Sequence, residues 1–367
     1  MPSSAPSPTL PILIGTSSNV TGANRGIYAT QLDPASGALT PPELAFETPN
    51  PGFLCRHPNG PWIYASGENG MATPKAAGGA VCAFGYDPAG RRLAFLNKQP
   101  TGGLSVTHLI ADRTGRALLA ASYHGGQIAA FPIAPDGTVG ARSAWMLPAG
   151  ALGPNSARQD KPHPHSVTLS PDNRFLYVCD LGLDKIFCYR LDATSAALTP
   201  AGEFVAAAGA GPRHSKFSAD GCFFYVINEL ACTITTYACD PATGALAARQ
   251  TVPTLPDGFA GESICSEIRL HPNGLFVYGA NRGCDSIAVF QRDPAEGLLT
   301  RIEIVPSGGA HPRNFALSDD GAWLVCANRD TNGLASFRVD PGTGRLTPAG
   351  LATGVPFPSC VLFMGSS

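Results

Sequence analysis

The sequence predicts an all-β fold, a seven-bladed β-propeller with one blade closed by the N- and C-terminal strands. Three observations carry this: a recurring hairpin signature, a second turn signature out of phase with it, and a mismatch in their numbers. The first signature is a polar Asp/Asn–Gly turn between two apolar β-type runs. It reads SPDNRFLYV at 170–178, SADGCFFYV at 218–226, HPNGLFVY at 271–278 and SDDGAWLV at 318–325, with weaker copies around Gly60 and Gly115. The turn anchors fall at 60, 115, 173, 221, 274 and 321, so they are 47–58 residues apart. The second signature reads DPASGAL from Asp33, DPAGRRL from Asp87, DATSAAL from Asp192, DPATGAL from Asp240, DPAEGLL from Asp293 and DPGTGRL from Asp340, with a degraded PDGTV from Pro135. Its Asp, Pro and Gly suit a tight turn, and each copy follows a strand-like run such as DSIAVFQR (285–292). One repeat therefore holds about four short strands, which is the make-up of a propeller blade.

Taken in order, residues 1–9 read as a flexible tail with no basic region, a poor secretory signal. The run ILIGTSS (12–18) is a first strand with no hairpin partner before it. Seven turns of the second kind against six hairpin anchors imply a split blade. The C-terminal PSCVLF (358–363) resembles the innermost-strand run PRNFAL (312–317), so it is expected to pair with ILIGTSS and close the ring. Closure removes the open edge that sheet proteins must otherwise manage. MATPKAAGG (71–79) and GALGPNSARQDKP (150–162) read as long loops, and 10–367 as a single domain.

Composition agrees and excludes several functions. Apolar residues make up 44% and charged residues only 14%, too few for the charged face of long amphipathic helices. Gly (42) and Pro (34) supply many turns. With 25 basic and 27 acidic residues there is no basic surplus for nucleic acid. No apolar run approaches the roughly 18 residues of a membrane span. The 11 Cys show no CxxC or paired-ligand spacing and sit among apolar neighbours. They read as reduced thiols, which favours a cytoplasmic setting. With no sheet edge demanding a partner, a monomer is expected.

The repeat itself exposes a candidate site. Eight residues before each anchor, at the start of the inner strand, stand Gly52, Thr107, His165, Arg213, Ser266, Arg313 and, in the last copy, Ser359. One residue later come Phe53, His108, Ser166, His214, Glu267, Asn314 and Cys360. Eight after each anchor, past the second strand, stand Glu68, Tyr123, Leu181, Glu229, Arg282 and Arg329. Paired strands of a hairpin are antiparallel, so these registers face one mouth of the central channel. His165, Arg213, His214, Glu229, Glu267, Arg282, Arg313 and Arg329 thus converge in a chain poor in charge, with His311 and His163 flanking them. The plain alternative is a solvated rim of Arg–Glu pairs between blades. His57 and His271, in HPNG turns, belong to the far side and read as turn residues. Clustered Arg suits an anion or a developing oxyanion, and His with Glu can move protons near neutral pH. GxSxG, HExxH and GxxxxGK[ST] are absent, and clustered guanidiniums disfavour a metal cation.

The runs HPHSVTLSPDNRFLYV (163–178), GAGPRHSKFSADGCFFYVINEL (209–230), SEIRLHPNGLFVYGANR (266–282) and HPRNFALSDDGAWLVCANRD (311–330) resemble the seven-bladed propeller lactonase family. That family includes bacterial 6-phosphogluconolactonases and fungal carboxy-cis,cis-muconate lactonising enzymes. The resemblance implies a metal-independent enzyme without cofactor. The muconate branch's one His, two Arg and one Glu fall by motif on His165 (PHS), Arg213 (PRH), Glu229 (NEL) and Arg282 (NR). The expectation is a lactonase acting on a sugar-acid lactone, with those four catalytic and His214, Glu267, His311, Arg313 and Arg329 binding substrate. In it, His165 is the base and Glu229 orients it, while Arg213 and Arg282 hold the carbonyl oxygen. A muconate-type cycloisomerase and a non-catalytic binding propeller are the alternatives.

Overall fold

A computed structural model describes residues 9–17, 26–69, 78–87 and 92–365. The first eight residues of the expected tail, residues 71–77 of the expected insert and the turn following Asp87 lie outside the described residues. The insert is shorter than expected, because Gly78 and Gly79 already belong to a strand, Gly78–Asp87.

The described strands form seven four-stranded antiparallel sheets. The first six blades begin at Leu54, His108, Pro164, Pro212, Ile264 and Pro312, each running outward through four consecutive strands. The seventh is the split blade: Pro358–Phe363 is innermost, followed by Leu10–Thr16, Gly26–Leu32 and Glu43–Glu47. Leu13 pairs with Leu362 and Ile14 with Val361, so the chain ends close the ring as the resemblance of PSCVLF to PRNFAL predicts. The seven innermost strands follow one another around the channel. No helix of the described residues is long and apolar enough to cross a membrane.

Why both turn signatures recur is visible in the packing between blades. Second strands such as Phe175–Asp180, Phe223–Asn228 and Trp323–Asn328 are buried at every position. A strand covered on both faces reads as a continuous apolar run. Each leans on the next blade's second turn. Tyr177, Tyr225 and Tyr278 donate their hydroxyls to the carbonyls of Gly244, Gly297 and Gly344 at 2.8, 2.9 and 3.0 Å. Two residues before each tyrosine, Phe175, Phe223 and Phe276 lie where a Cβ on the same glycine would come within 2.9, 2.3 and 2.4 Å. These glycines also adopt φ between +70° and +78°. The turn therefore needs glycine twice over, for backbone sign and for the aromatic ring seated on it.

His57 and His271 stay in their turns. Their Nε2 atoms meet the carbonyls of Gly115 and Gly321 in the following blades at 2.9 and 3.1 Å, while each Nδ1 accepts a backbone N–H at 3.1 Å. They clasp blades at the end of the channel opposite the site described next. All 11 cysteines are free thiols.

Candidate active site

A backbone irregularity builds the mouth. In the innermost strands the pairing register slips between Pro164 and Ser166, between Pro212 and His214, and between Pro312 and Asn314. The bulged residues are His165, Arg213 and Arg313. Regular alternation would send neighbouring residues to opposite faces of the blade. A bulge re-aims one of them, so both residues of a pair such as Arg213–His214 serve the channel.

Glu229 is the charge centre. It follows the strand Phe223–Asn228 and is 1% exposed. Its Oε2 accepts from Arg213 Nε at 2.8 Å and lies 2.9 Å from Arg282 Nη2, while its Oε1 accepts from Arg158. Burial pushes its pKa upward, but Arg282 and Arg213, with His165 and Arg158, overrule this and hold the carboxyl well below its usual range. Glu229 is therefore a fixed anion. His165 Nε2 stands 3.8 Å from Glu229 Oε2, beyond hydrogen-bonding distance. The Nδ1 of His165 is buried without a partner. The geometry thus provides no hydrogen bond by which Glu229 could orient His165.

The arginines divide into two kinds. Arg213 is 2% exposed, and besides Glu229 it donates to the Ser266 carbonyl. Burial and the charge of Arg282 lower its pKa to about 10. Arg282 donates to the Cys265 carbonyl as well as pairing with Glu229. Arg329 is held by Asp330 at 2.6 Å. Arg313 has no side-chain hydrogen bond or ion pair among the described residues and opens onto both cavities of the mouth. Burial, then the charges of Arg213 and Arg282, push its pKa well below that of a free guanidinium. It is a cation with room for an anion.

Two cavities meet here. The outer one, about 770 Å³, is lined by His165, Glu229, Arg282, Arg313 and Arg329 among others. The inner one, about 130 Å³, is lined by Arg213 and His214 and shares His165, Arg313 and Arg329 with the first. Glu267 lies buried behind His214, and His311 lines neither cavity. His311 instead lies 3.4 Å from Asp330, at φ +59°.

Sequence reasoning did not select Arg158, Lys161, Tyr123, Glu68 or His124. Tyr123 and Glu68 occupy the same register as Glu229, so the signal was present. Arg158 and Lys161 come from the 150–162 loop, which has no counterpart in other blades and so no register to read. That loop is pinned by Gln159 on the Leu181 carbonyl at 2.9 Å, and by His163, which bonds Asp160 at 2.8 Å and stacks on Tyr123 with centroids 4.1 Å apart.

Three buried imidazoles, His108, His165 and His214, have centroids spaced 5.1 and 5.2 Å along the channel. Burial first, then neighbouring positive groups, lowers all three well below the usual imidazole value. Unfolded, they would protonate near pH 6.5. The unfolded state therefore binds more protons below that pH, so stability is complete above it and falls as pH drops. Each contributes about 1.4 kcal/mol per pH unit, and together they are expected to lower unfolding free energy by about 4 kcal/mol between pH 7.5 and 5.5. Urea denaturation at the two pH values measures this, and equal midpoints would contradict neutral buried imidazoles.

Comparison with known proteins settles the family. A model of "Lactonase, 7-bladed beta-propeller" matches residues 11–363. The chain belongs to this propeller lactonase family. A 6-phosphogluconolactonase of Bacillus subtilis is 36% identical over 344 residues, covering 94% of this chain and 95% of that one. One from Formosa agariphila is 32% identical over 74% of this chain and 76% of its own. Among solved structures, the periplasmic gluconolactonase of Pseudomonas aeruginosa superposes with a TM-score of 0.89 at 30% identity, covering 97% and 99% of the two chains. Membership in the lactonase family extends over nearly the whole ring, including the N-terminal blades where the sequence motifs are weakest.

Proposed function

We propose that this propeller lactonase hydrolyses the ring ester of a sugar-acid lactone where the two cavities meet. The observation that carries it is Arg313, an unengaged guanidinium facing neutral imidazoles. In this reading water attacks the lactone carbonyl carbon and gives its proton to an imidazole. Negative charge develops on the carbonyl oxygen beside Arg313, where a preformed donor counts most. The ring C–O bond then breaks, the ring oxygen takes a proton, and a hydroxy acid leaves. Glu229, saturated by three guanidiniums, does not serve as the base; it holds Arg158, Arg213 and Arg282 in place. The set of cationic residues around the outer cavity, Arg158, Lys161, Arg282 and Arg329, favours a substrate bearing an anionic group, and 6-phosphogluconolactone fits this best.

Acid release from 6-phosphoglucono-1,5-lactone, set beside unphosphorylated aldonolactones, tests the reading. Faster turnover of the phosphorylated lactone is expected. Turnover confined to the unphosphorylated ones would overturn the choice of substrate, and no turnover of any would overturn the reaction. Among the described residues no group of three or more His, Cys, Asp or Glu is placed to hold a metal ion. Adding EDTA is accordingly expected to leave the rate unchanged, and a loss reversed by calcium would contradict a metal-independent mechanism.

A further inference from the structure

We propose that His214 is the proton acceptor of the hydrolysis, held as a base by Glu267, an inference that rests on the lactonase reading above. The two candidate imidazoles differ in how they are held. His214 Nδ1 lies 3.1 Å from Glu267 Oε2. An ionised carboxylate only accepts, so this contact places the proton on Nδ1 and the lone pair on Nε2. His214 lines the inner cavity, and Nε2 is the ring nitrogen left for it. His165 has no such holder: its Nδ1 is buried without a partner and nothing sets its tautomer.

The carboxylate is itself fixed. Glu267 is fully buried. Its Oε1 accepts the backbone N–H of Ile268 at 3.1 Å, and its Oε2 accepts from Asn314 and lies 3.6 Å from Arg269 Nη2. Carboxylate, imidazole and cavity thus stand in the order that orients a general base and stabilises the imidazolium it becomes. His214, Glu267 and Asn314 come from three successive blades at one register position. The step balances: the water O–H breaks, its proton goes to His214 Nε2, and its oxygen bonds the carbonyl carbon. The proton returns to the ring oxygen as the C–O bond breaks.

The groups facing His214 are Arg213 and Lys216 on its own strand, Glu267 and Arg269 on the next, and Arg313 on the one after, with His165 and His108 on the preceding strands. Burial first, and then these cations, keep the imidazole neutral, and Glu267 is the one carboxylate hydrogen-bonded to it among the described residues.

Three readouts test the assignment. Long-range ¹H–¹⁵N correlation, assigned by comparison with His214→Gln, is expected to show His214 as the Nδ1–H tautomer; the Nε2–H tautomer would overturn the dyad whether or not lactones are hydrolysed. His214→Ala is expected to lose at least about 10²-fold in kcat, with added imidazole restoring at least tenfold. Activity within threefold of wild type would overturn the role. Should that variant not fold, Glu267→Gln still decides. Losing the carboxylate destabilises the imidazolium, so the acid limb of kcat/KM is expected to move to lower pH, while His165→Asn keeps its limb in place. The reverse pattern assigns the base to His165. A wild-type protein that hydrolyses no lactone would overturn the reaction and with it the role, while the tautomer would still report the dyad.

Discussion

Replacing Arg313 by methionine is expected to lower kcat by about 10²–10³-fold, the usual cost of one lost oxyanion donor, without lowering the melting temperature. The two halves of this expectation have separate causes. Arg313 makes no hydrogen bond or ion pair among the described residues, so its removal strands no partner. It stands instead among Arg213, Arg282 and Arg329, whose charges oppose its own. A linear apolar side chain relieves that repulsion and keeps the volume filled. Steady-state kinetics and thermal melting of the one variant separate the effects. Near-normal kcat would remove Arg313 from the chemistry, and a melting point several degrees lower would mean that it has a structural partner after all.

Glu229→Gln is expected to do the opposite, acting first on stability. Glu229 is the shared acceptor of Arg158, Arg213 and Arg282, and all but Arg158 are nearly fully buried with it. A neutral amide leaves these cations without their counter-charge and presents N–H groups where only donors surround it. Breaking a buried ion pair from one side costs about 3–5 kcal/mol. The expected outcome is a loss of that size in urea denaturation, together with a large loss of turnover as the mouth reorganises. A variant as stable as wild type but inactive would instead make Glu229 a participant in proton transfer, the role its low pKa argues against.

Most of the ring was legible in the sequence because each blade repeats the same physical solution. A turn glycine seats an aromatic ring, so the two signatures recur together, and PSCVLF could be recognised as an innermost strand from its likeness to PRNFAL. The inner strands of the first two blades are shorter than the register suggests, Leu54–Arg56 and His108–Ala111, with Gly52, Phe53 and Thr107 preceding them. Register also gathered the residues of the mouth. What it did not supply was the bulge that turns two successive residues toward one channel, although a proline, Pro164, Pro212 or Pro312, stands directly before each bulged residue. Nor could spacing tell an engaged arginine from a free one. Arg213 and Arg313 occupy equivalent positions, yet only Arg213 reaches Glu229, because that carboxylate directly follows the second strand of its own blade. Likewise Arg158 arrives from a unique loop, and the His214–Glu267 contact joins different blades, a pairing that depends on side-chain reach between adjacent inner strands.

The most direct measurement is a crystal structure with an aldonolactam, in which an N–H replaces the ring oxygen and hydrolysis is blocked. The account predicts the lactam carbonyl oxygen within about 2.7–3.2 Å of an Arg313 nitrogen, with its carbon facing His214 Nε2 across room for one water. A lactam seated in the outer cavity alone, with its carbonyl on Arg158 or Arg282 and Arg313 still without an acceptor, would contradict it.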